Sequence, residues 1–307
     1  MKLKLDAYKR GYEQDGRTSI NYLYQSFLKL GNDKNWNLET IDTHQIINKN
    51  EKLDFPVLCL RTKKQGKAIW IISGIHGEEP AGPIAISKNL IFFKNMQKKN
   101  IPIILLPLCN PSGYYRNWRH TKHPRYWRLG KSVQDAEHLL LKKSNKPRMR
   151  KPTSEYAKIF TEFVVGLAKR YPPLLVLDLH EDNLSKFVKN VNTTPKTYIY
   201  SQGKSGTKDK IAKEILKILV KNKVPILNSG TTFYHEKIIN GVVSNVKDSS
   251  IDELLASNKI YYKEKIINGP ACKSVIVVET LTRAPLKERI NTHEEILRNL
   301  PNFLKLI

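Results

Sequence analysis

The chain has 307 residues, 40% of them hydrophobic, enough for a sizeable core in a single catalytic domain over 1–307, and no linker-like stretch divides it. Fifty-three Lys and Arg against 28 Asp and Glu leave a formal charge of +25, which attracts nucleic acid, anionic membranes or polyanionic cell-wall material; the lysines are scattered without a recurring basic–aromatic platform, so specific nucleic-acid binding is not expected. No run approaches the roughly 18 apolar residues of a membrane span, and Met1 to Asp6 lack the apolar core of a secretory signal, so no membrane-spanning helix is expected and a cytoplasmic location is the default expectation.

In chain order, the apolar spacing predicts a helix over 20–30, strands over 57–61 and 68–72, a helix over 83–97 and a strand over 101–106. A basic, Pro-punctuated stretch at 141–152 reads as an exposed excursion, followed by a helix at 154–170 and a strand at 174–180. Beyond these come a strand at 197–200, a helix at 209–222, a strand at 224–227, a short helical segment opened by Ser250-x-x-Glu253, a strand at 274–280 and a helix at 292–304 opened by Thr292-x-x-Glu295. The alternation implies an α/β fold: a mixed, largely parallel central sheet with helices on both faces. Gly230 to Glu236, followed by Asn240-Gly241, reads as a long loop at a specificity pocket. Cys59, Cys109 and Cys272 are odd in number and lie in or beside apolar runs, as expected of reduced core thiols.

Three apolar runs end in chemistry. The strand at 68–72 runs through Ser73-Gly74 into His76-Gly77-Glu78-Glu79, an H-x-x-E pattern whose imidazole and carboxylate leave one turn and can point at one zinc ion. The strand at 174–180 ends in His180, the candidate third ligand. Asp178, two residues earlier and so on the same face, is placed to hydrogen-bond an imidazole N–H as an outer-sphere partner. The strand at 274–280 ends in Glu279, a carboxylate suited to managing the proton of a zinc-activated water. Open α/β sheets bind ligands at this C-terminal edge.

With these residues in this order, and Asn110-Pro111-Ser112-Gly113-Tyr114 between them matching an N-P-x-G-Y segment, the chain resembles the M14 zinc carboxypeptidase family together with its amidase and deacylase relatives. The resemblance implies His76, Glu79 and His180 as ligands of one Zn2+ and Glu279 as general base and then general acid. It also implies arginines beyond the N-P-x-G-Y segment. Arg119 is assigned to the scissile carbonyl and Arg116 or Arg128 to a substrate carboxylate, the three being interchangeable, with Asn110 among the substrate-binding residues. An Asn-Arg pair that grips the terminal carboxylate in many members has no counterpart here, and Tyr261 and Tyr262 are both open as counterparts of a family tyrosine. The expected activity is hydrolysis of a C–N amide bond, by a metallocarboxypeptidase acting on small peptides such as those of cell walls. N-acyl amino acid deacylation with the same metal site is the alternative, and a basic nucleic-acid-binding protein the reading from another class.

Overall fold

A computed structural model of the chain describes residues 11–48, 51–122, 132–182, 196–232 and 235–307. The first half contains α1 (Ile20–Gly31), β1 (Trp36–Asn48), β2 (Glu51–Thr62), β3 (Ala68–Ser73), α2 (Ala81–Lys88), α3 (Leu90–Lys98), β4 (Ile103–Leu106), α4 (Pro111–Arg116) and α5 (Glu155–Arg170). The second contains β5 (Pro173–Asp182), β6 (Ile199–Ser201), α6 (Lys210–Lys221), β7 (Ser229–Thr231), β8 (Lys237–Ile239), β9 (Val242–Ser244), α7 (Ile251–Ala256), β10 (Lys259–Tyr262), β11 (Lys265–Asn268), β12 (Val275–Leu281), α8 (Leu286–Arg298) and α9 (Leu300–Phe303).

The described strands form one sheet in the order β1-β2-β4-β3-β5-β12-β6-β9-β8-β7, with β10 and β11 as a separate hairpin. Its middle, β4-β3-β5-β12, is parallel, whereas β2 joins β4 and β6 joins β12 antiparallel. Up to their carboxyl ends, where Asp178, His180 and Glu279 stand, the middle strands are apolar because both of their faces are covered. Along β3, Ile69 and Ile71 pack with Phe27, Ile84, Phe93, Ile215 and Ile296 from α1, α2, α3, α6 and α8. Ala68, Trp70 and Ile72 alternate to the opposite face, against Phe160 and Val164 of α5 and Leu254 of α7. Full burial of each large side chain contributes about 1.5–3 kcal/mol. The Trp70 indole N–H is also satisfied, donating to the Tyr171 carbonyl at 2.9 Å.

From β3 the chain crosses to β4 on one side, and β5 then lands on the other side of β3. The order of strands therefore reverses between β3 and β5, the place where an open α/β sheet leaves a crevice beyond its carboxyl ends.

Several predicted elements are corrected. The helix expected over 83–97 is two helices broken at Asn89, whose Nδ2 donates to the Ala85 carbonyl at 2.8 Å and whose Oδ1 accepts from Arg298 at 3.0 Å. Residues 224–227 contain only an isolated bridge from Ile226 to Thr197, not a strand. Helix α8 begins at Leu286, after Pro285, so Thr292 is interior and its hydroxyl donates to the Glu288 carbonyl at 2.9 Å instead of capping. Ser250 does cap α7, accepting from the Glu253 amide at 3.2 Å. The loop expected from Gly230 to Glu236 contains part of β7, and Asn240-Gly241 is the turn joining β8 to β9.

Candidate metal centre and its cleft

The H-x-x-E turn is held by backbone contact as well as by side chains. After β3, Gly74 takes a left-handed φ of +64°, a conformation that favours glycine, and turns the chain over the sheet edge. At Gly77 an added Cβ would lie 2.0 Å from the Gly113 carbonyl carbon, so the turn sits directly on α4. The N-P-x-G-Y segment forms that helix: Asn110 is its N-cap, accepting from the Gly113 amide at 3.0 Å, and Pro111 occupies the first turn.

The predicted ligands converge. His76 Nδ1 lies 2.7 Å from Glu79 Oε1, and His180 Nδ1 lies 2.9 Å from Glu79 Oε2. One ligand atom from each of the three residues lies within 4.8 Å of the others, and all three residues are buried. Two imidazole nitrogens and a carboxylate fit a divalent ion of the zinc class, and no other group of three or more such residues among those described is drawn together in this way. The remaining nitrogen of His180, Nε2, is 3.1 Å from Asp178 Oδ2, the outer-sphere contact expected from their i, i+2 spacing on β5.

The field at the site is strong. Burial raises the Glu79 carboxyl, but the neighbouring His76 and His180 outweigh it and hold the group ionised. Burial lowers His180, while Asp178 and Glu79 more than compensate and leave it well above the usual histidine range. For His76 burial dominates, aided by the Arg119 charge, and its proton affinity falls.

On the adjacent parallel strand β12, Glu279 is the register partner of His180, which brings the two residues to the same sheet edge. Glu279, His76 and His180 line one cleft of about 490 Å³, together with Arg119 and His120. Arg119 Nη1 donates to Glu78 Oε1 at 3.2 Å and to Glu79 Oε1 at 3.1 Å. Two expectations are corrected. Asn110 is 1% exposed and its Nδ2 donates to the Arg119 carbonyl at 3.0 Å, so it shapes the loop and is not presented to a substrate. Arg116 stacks on Trp118, 4.3 Å from the ring centroid, and is not among the cleft-lining residues. Arg128 lies outside the described residues.

The cleft also contains residues that sequence reasoning passed over. Tyr200 of β6 is paired with Val277, two residues before Glu279, and its hydroxyl reaches Glu236 at 3.4 Å. Asp252 is 3% exposed, and burial followed by the charge of Asp178 raises its carboxyl well above the usual range. Asp135, raised to about 6 chiefly by burial, also lines the cleft, as does Asp248. Only Tyr200 carried a signal, since it ends a predicted strand; the others sit in irregular or short segments. Tyr261 and Tyr262 lie on the β10–β11 hairpin and are not cleft-lining residues; Tyr262 packs under Lys169 and Lys263.

Solved structures share this architecture. A "putative metallopeptidase" from Shewanella amazonensis superposes with a TM-score of 0.67 at 20% identity, covering 92% of each chain. The chain carries the metallo-carboxypeptidase fold. A metallo-carboxypeptidase from Pseudomonas aeruginosa, in complex with (2-guanidinoethylmercapto)succinic acid, superposes with a TM-score of 0.57 at 12% identity over 94% of this chain and 70% of its own. Carboxypeptidase A from Helicoverpa armigera does so with a TM-score of 0.56 at 11% identity, over 98% of this chain and 77% of its own. No family model and no curated protein matches the sequence. Within this carboxypeptidase fold, no helix among the described residues is long and apolar enough to cross a membrane.

Proposed function

We propose that the chain is a metal-dependent hydrolase of C–N amide bonds that removes a C-terminal residue from small peptides. The observation that carries this reading is the placement of His180 and Glu279 as register partners on neighbouring parallel strands, with His76 and Glu79 delivered to the same edge from β3. One zinc ion, held by His76 Nδ1, Glu79 and His180 Nδ1, would supply Lewis acidity toward a substrate carbonyl and acidify a water.

The chain's own residues do the rest. Glu279 takes the proton of the attacking water and returns it to the leaving nitrogen, a role supported by its place in the cleft beside the ligands. Arg119 faces the same cleft; its Nη1 is engaged by Glu78 and Glu79, and we assign its further guanidinium N–H groups to the oxyanion as it forms. Asp178 fixes the His180 ring so that Nδ1 points inward. The substrate carboxylate falls to Arg116 or Arg128, of which Arg116 stacks on Trp118.

The test combines metal analysis with a panel of peptides bearing free or amidated C-termini and of N-acyl amino acids, before and after chelation. Glu279→Gln should keep its zinc and lose at least ~100-fold in turnover, as expected for removal of a general base. A zinc-loaded E279Q as active as the parent would show that the base lies elsewhere. Turnover of N-acyl amino acids in place of peptides would replace the carboxypeptidase reading with the deacylase one.

A further inference from the structure

The structure assigns Arg17, remote in sequence from every predicted site residue, as a positioning residue that clamps the His76–Glu79 turn in its ligand-bearing shape. This inference rests on the reading that His76, Glu79 and His180 hold a divalent ion.

The Arg17 side chain is fully buried, and its donors go to the turn and to what the turn rests on. Nη1 donates to the Gly77 carbonyl and to the Tyr114 carbonyl, both at 2.9 Å. The opposite edge of the guanidinium is held by Asp15, with Nε 2.9 Å from Oδ1 and Nη2 2.7 Å from Oδ2, while Nη2 also donates to Asn117 Oδ1 at 2.6 Å. The Tyr12 and Tyr114 rings lie 5.1 and 4.8 Å from its central carbon. Gly77 is meanwhile fixed from its other side, since its amide donates to the Arg119 carbonyl at 3.3 Å. The peptide groups of Gly77, one of the two residues between the ligands of the turn, are thus bound by partners far away in sequence, and Arg17 is the side chain among them.

A planar fork is required for this arrangement. Two carbonyls, a carboxylate and an amide oxygen are reached by one rigid group with five N–H donors, whereas a lysine ammonium has three and cannot span both edges. Asp15 supplies the countercharge that a buried guanidinium needs. If the clamp opens, the Gly77 carbonyl is released and the angle between His76 and Glu79 is no longer set by the fold. Outer contacts of this kind change metal affinity by about 10–100-fold.

Arg17→Lys keeps charge and bulk and is the variant of choice. Zinc affinity, measured by chelator competition on the full chain, should fall by about 10–100-fold, and the visible absorption of the cobalt-substituted protein should change in shape. Phe303→Leu, a core substitution in α9 whose parent side chain is 1% exposed, serves as a control that lowers stability and leaves zinc affinity unchanged. An R17K variant that binds zinc as the parent does, with the same cobalt spectrum, overturns the inference. Failure of the parent itself to bind zinc would overturn the metal reading instead. The clamp would then be judged by hydrogen exchange of the Gly77 and Glu79 amides without metal, which R17K should accelerate more than it accelerates core amides; equal protection in both proteins would refute it.

Discussion

A single methyl group added at Gly77 tests how closely the ligand turn is seated on α4. In Gly77→Ala the new Cβ would meet Gly113 C at 2.0 Å, Tyr114 N at 2.2 Å and Gly113 Cα at 2.5 Å, whereas ordinary contact begins at 3.4 Å. All three obstacles are backbone, so no side-chain rotamer relieves them and the turn must lift by more than 1 Å. Overpacking of this kind costs about 1–3 kcal/mol. Lifting the turn also breaks the Gly77 amide bond to Arg119 and the Arg17 bond to the Gly77 carbonyl, at about 1 kcal/mol for a neutral bond and about 1.5–3 kcal/mol for one to a charged group. The expected loss is therefore about 3–7 kcal/mol, read as a shift of the urea midpoint without zinc, with a further loss of zinc affinity. Gly166, inside α5, has nothing within 4 Å of an ideal Cβ, so Gly166→Ala should instead gain up to about 1 kcal/mol from helix propensity. Equal midpoints for G77A and the parent, with equal zinc affinity, would refute the reasoning.

Asp178→Asn removes the charge facing His180 Nε2 and should weaken zinc binding by about 10–100-fold while the sheet remains folded; affinity within twofold of the parent would remove Asp178 from the site. His44, buried in β1 beside Tyr156 and Ser112, is lowered to about 3 by burial from an ordinary value of 6.5. Because the folded value is the lower one, its contribution is full above 6.5 and declines as the pH falls toward 3, by about 2–3 kcal/mol between pH 7 and 4.5. Urea midpoints at the two pH values, compared with those of His44→Gln, check this, and an unchanged slope in H44Q would rule His44 out as its source.

The parts of this molecule that could be read from its residues are those where local pattern and global fold agree. β3 is apolar up to Ser73, β5 up to Asp178 and β12 up to Glu279 because they are covered on both sides, and the polar residues that follow mark the edge where the ligands gather. β1 was missed because Glu39, Thr40, Asp42 and Thr43 interrupt its apolar residues and a bulge between Thr40 and Asp42 disturbs its alternation; only pairing with β2 makes it a strand. The helix break at Asn89 was hidden for a similar reason, since the apolar pattern runs on through it and the side-chain bonds that stabilise the break include one from Arg298, 209 residues away. In the site, the ligand spacing was local or tied to strand ends, whereas the fate of Asn110 and Arg116 depended on what α4 and Trp118 left for them to bind. Arg17 and Asp252 gave no signal, because a buried charged residue is indistinguishable in one dimension from a solvated one.

The three free thiols have a consequence for how opening of this sheet can be watched. Cys59, Cys109 and Cys272 are each at most 1% exposed; burial raises the first and last to about 12 and pushes Cys109 well above the usual thiol range. Since the thiolate is the species that reacts, an alkylating reagent must wait for the strands to part. One thiol sits in β2, one between β4 and α4, and one just ahead of β12, so the sequence in which they are labelled is a natural record of which seam of the protein gives way first.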